Sequence, residues 1–195
     1  MICPRLRSVV TLCTLLGLPG VLPAQQTNPG RSAAVREILT LQDQRSVSDG
    51  ALIGYLAHKD ADIRQRALVA LGNIQDTSTV RAVASALKDG SWRVRQAAAF
   101  ALGQIGDPRG GPPLKERLAS ETSGSVIARI LEALGKCGSP DELEAVIRYR
   151  PPKDQELRSA DQALAVARFA LRNIRSPRTP SRPARSSSRR SLRRW

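Results

Sequence analysis

The chain has 195 residues, enough for one domain with flexible ends, and a net charge of +14. Hydrophobic residues make up 41% of it but aromatic residues only 3%. A core of Ala, Leu, Val and Ile favours closely packed helices over a sandwich of strands. The charge is uneven, since residues 25–174 carry +4 and residues 175–195 carry +8. The positive excess therefore belongs mainly to the C-terminal segment.

Residues 1–24 have the features of a secretory signal peptide. A start with two Arg is followed by an apolar run over residues 9–18, which is shorter than the roughly 20 residues that span a bilayer. Ala24 is a small residue suited to cleavage after it, and residues 25–32 are predicted to be a linker. We therefore predict a periplasmic or secreted protein. The alternative is a membrane-anchored chain that keeps its N-terminal segment.

A repeated pattern over residues 33–174 predicts the architecture. The segment Leu71–Asp76 recurs as Leu102–Asp107 and as Leu134–Ser139, at spacings of 31 and 32 residues. A degenerate fourth copy, Leu171–Ile174, follows 37 residues after the third. A leading half-copy, which begins near residue 33, precedes them.

Each repeat unit is predicted to contain two helices. In the second unit, Val80, Val83 and Leu87 have helical spacing, and a second apolar stripe runs from Val94 to Ile105. One such helix pair cannot bury its apolar face alone, whereas stacked pairs can. The sequence therefore predicts an all-α fold, a right-handed α-solenoid of about four helix pairs after a leading helix, with the second helices on its concave face.

The segment Leu87–Arg109, with the sequence LKDGSWRVRQAAAFALGQIGDPR, carries a family resemblance. It resembles the short HEAT-like repeats of the phycobilin-lyase-related type, and the resemblance extends over residues 33–174. This family has many functions, so the resemblance implies the fold and not the activity. In similar repeats, Arg and Asp pair between units. The resemblance therefore implies a ladder of ion pairs that joins Arg64 and Arg95 to Asp76 and Asp107 and ends in the third unit.

Two groups of enzymes are built from similar repeats. Deoxyhypusine hydroxylases bind di-iron through His-Glu pairs, but this chain has a single His, His58, which is followed by Lys59. Phycobilin lyases act on cytoplasmic proteins, which is incompatible with export. The sequence also lacks a Gly-rich phosphate loop and a nucleophile elbow. We therefore expect no catalytic residue, no metal site and no cofactor, and predict that the chain is not an enzyme.

One face of the second helices is predicted to bind a protein or peptide. It lies opposite the apolar stripe and combines polar side chains with a few apolar ones. Aromatic and Arg side chains dominate the energetics of protein interfaces. Alternatively, the two Phe pack against the neighbouring unit. The residues assigned to partner binding are Gln65, Val69, Arg93, Gln96, Phe100, Glu132 and Phe169.

Residues 175–195 form an Arg-, Ser- and Pro-rich segment that is predicted to be disordered. In an exported protein, its Arg side chains would bind anionic envelope surfaces such as lipid headgroups. Nucleic acid would fit the charge but not the compartment. The alternative is a solvated tail without function. The residues assigned to the anionic surface are Arg182, Arg185, Arg189, Arg190, Arg193 and Arg194.

These features predict a protein-protein interaction scaffold of the bacterial cell envelope that has no catalytic activity and holds a partner on the concave face of the solenoid. The alternative is an accessory or regulatory subunit, or a HEAT-like protein related to lyases or oxidoreductases, that assists an enzyme.

Overall fold

The computed structural model describes residues 29–47, 50–150 and 156–175, and all regular structure in these ranges is helical. Four short 3-10 turns extend or precede the shorter helices, at Tyr55–Ala57, Thr77–Thr79, Ala86–Lys88 and Pro108–Gly110. The α-helices are α1 Pro29–Asp43, α2 Ala51–Gly54, α3 Ala61–Ile74, α4 Val80–Ser85, α5 Trp92–Ile105, α6 Gly111–Ser120, α7 Gly124–Cys137, α8 Pro140–Arg148 and α9 Glu156–Leu171.

The helices form two layers. In one layer, the long helices α1, α3, α5, α7 and α9 pack side by side in chain order. The shorter helices α2, α4, α6 and α8 form the second layer, and each packs against the long helix that follows it. This arrangement confirms the predicted solenoid of four helix pairs after a leading helix.

Short polar motifs set the helix ends. Asp60 and Asp76 precede helical segments, and each side chain accepts a hydrogen bond from the backbone N–H two residues later. Ser139 and Glu142 form a capping box at the start of α8. At the end of α5, Gly106 has a φ of 71°, a left-handed conformation that glycine adopts without steric cost. The loops thus stop each helix where the next one must reverse direction.

Neighbouring long helices approach each other closely at one repeated position. A Cβ atom at Gly72 would lie 2.9 Å from the Cα atom of Ala101, so a larger side chain would push the two helices apart. Small side chains at such a point let helix axes come close together. The same contact recurs along the layer, where Gly72, Gly103 and Gly135 meet Ala101, Ala133 and Ala165, respectively.

Arg side chains connect successive units. Arg64 donates to the carboxylate of Asp89 from Nε and Nη2, at 2.8 and 2.9 Å. Arg95 binds Glu121 in the same way, at 2.8 and 3.0 Å. Each Arg also donates from Nη1 to two backbone carbonyls of the loop before its own helix. These bidentate pairs fix the loop of one unit to the loop of the next.

The prediction that Arg64 and Arg95 pair with Asp76 and Asp107 is wrong. Both Asp side chains cap 3-10 turns, and Asp107 also pairs with Arg109. The true partners lie in the loop before the next long helix, where the guanidinium groups can reach them. Ile127 occupies the corresponding position of α7 and is buried, so the ladder ends at Glu121 in the third unit.

His58 has a structural role at the matching place in the first unit. Its Nδ1 accepts the backbone N–H of Asp60 at 3.0 Å. Asp89 and Glu121 accept from Ser91 and Ser123 in the same manner, also two residues later. The side chain therefore closes a loop, as its counterparts do in the following units.

The boundaries of the solenoid differ in one respect from the prediction. Helix α1 begins at Pro29, inside the segment 25–32 that was predicted to be a linker. The predicted signal peptide, residues 1–24, lies outside the described residues, as does almost all of the predicted tail. No helix in the described part of the chain is long and apolar enough to cross a membrane.

The Glu121 carboxylate gives a testable pH dependence. Burial alone would raise its pKa, but hydrogen bonds from Arg95, the Ser123 backbone and Arg117 lower it to about 2, from an ordinary value of 4.5. Its stabilising effect is therefore present above pH 4.5 and is lost as the pH falls towards 2. We expect Glu121→Gln to lower the free energy of unfolding at pH 7 by about 1–3 kcal/mol.

Urea unfolding of both proteins from pH 7 to pH 2 provides the measurement. The difference in the free energy of unfolding between wild type and Glu121→Gln should shrink as the pH falls. A difference that stays constant over this range would show that the charge of Glu121 does not stabilise the fold.

Candidate functional site

The outward side of the long-helix layer, hereafter the long-helix face, carries two grooves. The first lies between α1 and α3 and has a volume of about 380 Å³. The predicted residues Gln65 and Val69 line it, together with Leu39, which is 49% exposed. The α1 side of this groove is therefore partly apolar and open to solvent.

The second groove lies between α5, α7 and α9 and has a volume of about 410 Å³. It contains the predicted residues Gln96 and Glu132. Charged side chains and one exposed Leu complete it, so the lining includes Gln96, Arg129, Glu132, Asp161, Leu164 and Arg168. A partner in this groove would meet both apolar and charged groups.

Phe100, on α5, lines neither groove and is half-buried. A Cβ atom added at Gly72, on α3, would lie 3.3 Å from the edge of the Phe100 ring. The guanidinium carbon of Arg129, on α7, lies 5.6 Å from the ring centre, a cation-π distance. Phe100 therefore packs against the neighbouring unit and also presents part of its ring on the long-helix face. The predicted Arg93 is exposed on the same helix, 5.4 Å from the ring of Trp92.

Glu132 is the centre of a charged network beside Phe100. Its carboxylate accepts one hydrogen bond from Arg129 and pairs with Lys136 at 2.9 Å. Lys136 also donates to Gln104 of the preceding long helix at 3.0 Å. Partial burial would raise the pKa of Glu132, but the Lys136 hydrogen bond and the neighbouring positive charges hold it below its ordinary value. One carboxylate thus pairs with two cations, and the groove lining contains a second carboxylate, Asp161, beside Arg168.

Phe169 does not lie on the long-helix face, and its assignment to partner binding is wrong. The side chain is fully buried, and its ring comes so close to Gly138 that a Cβ atom there would lie 2.6 Å from it. The predicted alignment of the fourth repeat copy is also wrong, because it matches an exposed residue to a buried one. Leu171 is 87% exposed, whereas Leu134, to which it was matched, is fully buried.

The structural register of the fourth unit follows from the Gly–Ala contacts. Ala165 meets Gly135 as Ala133 meets Gly103. Leu164, which precedes Ala165, is therefore the counterpart of Glu132 and is 51% exposed. Sequence reasoning missed this residue. The even spacing of 32 residues from Ala101 to Ala133 and from Ala133 to Ala165 is the signal that could have found it.

Other predicted features fall outside this face. The arginines assigned to an anionic surface, Arg182 to Arg194, lie outside the described residues. Cys137 is buried at the end of α7, and burial raises the pKa of its thiol to about 11. Within the described ranges, no group of three or more His, Cys, Asp and Glu side chains could hold a metal ion. The His-Glu pairs of a di-iron site do not fit this chain, whose only His is His58.

Residues 48–135 match a family model described as HEAT repeats. Residues 48–135 are therefore HEAT repeats. Its fold is also that of a chain in the solved complex of CpcE and CpcF of phycocyanin lyase from a Nostoc species, with a TM-score of 0.60. The two chains are 20% identical, and the match covers 86% of this chain and 71% of the other. The predicted resemblance to HEAT-like repeats of the phycobilin-lyase type is thereby confirmed at the level of the fold.

Two curated relatives are deoxyhypusine hydroxylases from Drosophila. The protein from Drosophila pseudoobscura pseudoobscura is 32% identical over 105 residues, which are 53% of this chain and 34% of the relative. The Drosophila melanogaster protein is 32% identical over 106 residues, 54% of this chain and 35% of the relative. The chain spans about a third of the length of these relatives. Because both are named as enzymes, the prediction that this HEAT-repeat protein is not an enzyme is wrong.

The corrected register of α9 predicts opposite effects for two apolar side chains. Phe169→Ala should lower the free energy of unfolding by about 3–5 kcal/mol, because it leaves a cavity in the core. Leu171→Ala should change it by less than about 0.5 kcal/mol, since that side chain is exposed. Denaturant unfolding of the two variants tests this difference. Equal losses, or a larger loss for Leu171→Ala, would contradict the burial of Phe169 and the exposure of Leu171.

Proposed function

We propose that this HEAT-repeat protein binds a partner protein on its long-helix face and thereby assists an enzyme. The structural neighbour from the phycocyanin lyase complex supports protein binding, since that chain was solved together with a second protein. The deoxyhypusine hydroxylase relatives support a connection with an enzymatic reaction. The proposal combines these two likenesses with the surface that this chain presents.

The observation that carries the proposal is the groove of about 410 Å³, whose lining residue Arg129 also lies over the Phe100 ring. Its walls come from three long helices, which the Gly–Ala contacts hold at a fixed spacing. A rigid surface of this kind binds with little loss of conformational entropy. The half-buried ring of Phe100 and the exposed Leu164 offer apolar anchors near the groove.

The charges around the groove define the partner's chemistry. Arg129, Lys136 and Arg168 all lower the pKa of Glu132, and Asp161 is the second carboxylate of the groove. Three positive charges thus face two negative ones. A segment that brings its own carboxylates would therefore find complementary charge. We propose a partner segment with apolar side chains that fit beside Phe100 and acidic side chains that face the arginines.

We also propose that binding takes place outside the cytoplasm, in the bacterial periplasm or beyond the cell. This proposal is supported by the first 24 residues, where two Arg precede a short apolar run and the small residue Ala24 follows it. Arginines in residues 175–195 would then add contacts with an anionic envelope surface.

Photo-crosslinking identifies the partner and tests the face. A benzoylphenylalanine placed at position 100 of the full chain, in the cells that make it, should crosslink one protein that mass spectrometry can name. The same probe at Ala119, which is exposed on α6 in the other layer, is the control. Equal crosslinking of that protein from both positions would contradict binding on the long-helix face.

Two variants then measure the contribution of the face. Ala128, on α7, also lines the groove. Phe100→Ala and Ala128→Trp, whose ring would fill the groove, should each weaken binding of the purified partner about tenfold or more. Ile147→Ala removes an exposed apolar side chain from α8, in the other layer, and should leave the affinity unchanged. The enzymatic rate of the partner, or of the complex that contains it, should fall with the affinity. Unchanged binding by both variants, with unfolding free energies close to wild type, would exclude this face.

The export proposal has its own measurement. N-terminal sequencing of the protein recovered from the periplasm or the medium should begin at Gln25. Replacing Ala24 by Asp should block cleavage, because the peptidase needs a small residue there. Recovery of the uncut chain from the cytoplasm alone would contradict export without affecting the proposed binding face.

A further inference from the structure

The outer side of α9 is an exposed apolar stripe. Helical residues three, four and seven apart share one face, and six small or aliphatic side chains do so on this helix. Leu164 is 51% exposed and Leu171 87% exposed, while four exposed Ala side chains lie between and beside them. The stripe consists of Ala160, Ala163, Leu164, Ala167, Ala170 and Leu171.

This stripe matches the surfaces by which the long helices already pack on one another. Within the solenoid, α3, α5 and α7 each present a glycine to an Ala of the next long helix. Gly135 lies two residues after Ala133, and Ala167 lies two residues after Ala165, so Ala167 occupies the corresponding place on α9. The side of α9 that faces away from α7 thus has the shape of a helix-packing surface.

The opposite end of the described solenoid differs in character. The exposed residues of α1 include Arg36, Glu37 and Thr40, whereas the exposed Leu39 lies in the first groove. Glu37 accepts a hydrogen bond from Tyr55, and Thr40 donates to the Arg36 carbonyl. Packing this polar end against the apolar stripe would bury charged groups without partners. Head-to-tail stacking of copies is therefore disfavoured.

The charges beside the stripe favour pairing of like surfaces. Asp161 and Arg168 are seven residues apart and lie on the same edge of α9, next to the groove. In two helices that pack antiparallel about a two-fold axis, the same edges meet. If the axis passes between Leu164 and Ala165, Asp161 of each copy lies level with Arg168 of the other. The same register brings Ala163 next to Ala167 of the second copy.

We propose that two copies of this chain associate through α9, antiparallel, with the Ala stripe in the contact and two Asp161–Arg168 pairs at its edge. Both charged residues also line the groove of about 410 Å³. The second copy therefore extends that groove and contributes its own Asp161 and Arg168 to the rim. This inference goes beyond the proposed function, because partner binding at Phe100 does not require it.

Sedimentation velocity of the full-length chain tests the proposal. A contact made by one helix is small, so we expect a dimer at concentrations of roughly 100 µM. Ala167→Arg places a long charged side chain in the stripe and should raise the dissociation constant at least about tenfold. Ala119→Arg introduces the same side chain at an exposed position of α6 and should have no effect. A wild type that stays monomeric, or a dimer insensitive to Ala167→Arg, would overturn the proposal.

A charge exchange tests the antiparallel register. Asp161→Arg and Arg168→Asp should each weaken the dimer, because each places like charges opposite one another. The double variant restores both pairs and should recover most of the wild-type affinity. Failure of the double variant to recover, when its unfolding free energy matches that of the wild type, would overturn this register. Assemblies larger than a dimer would instead support head-to-tail stacking and would also overturn it.

Discussion

The close contact between a glycine on one long helix and an alanine on the next determines the geometry of this protein. At Gly72 the distance leaves no room for a Cβ atom, and the contact recurs at Gly103 and Gly135. Because the same contact repeats, the long helices form a regular layer with one face towards the short helices and one towards solvent. The position, spacing and rigidity of the candidate site all follow from this regular layer.

Ion pairs between the loops support the same regularity. Arg64 and Arg95 each hold their own loop through backbone carbonyls and the next loop through a carboxylate. The Glu121 side chain is fully buried in the ladder, where a charge is tolerated only with close partners. The ladder therefore orients successive units, while the apolar core supplies most of the driving force for folding.

The two deoxyhypusine hydroxylase relatives are named as enzymes, and each matches about half of this chain. The relatives connect the chain with enzymatic systems, and the long-helix face supplies surfaces suited to another protein. Fold alone does not assign an activity. The groove near Phe100 and the apolar stripe of α9 are adjacent surfaces that share Leu164, and Asp161 and Arg168 lie at their common edge.

The sequence by itself determined the repeat, the helix ends and the helical class, because these depend on local residue types at a fixed period. Turn residues such as Gly106 and caps such as Asp60 act within a few residues of their own position. The sequence also assigned Gln65, Val69, Gln96 and Glu132 to the face that carries the grooves, because they lie opposite the apolar stripe of their helices.

Only the tertiary structure decided the register of α9 and the partners in the ladder. Leu171–Ile174 resembles the earlier repeat ends, but α9 continues past the point where those helices stop, so Leu171 is exposed and Phe169 is buried. Which residue faces the core depends on contact with Gly135, a residue about thirty positions earlier. The acidic partners of Arg64 and Arg95 are likewise set by the distance between loops of different units, which a local pattern does not encode.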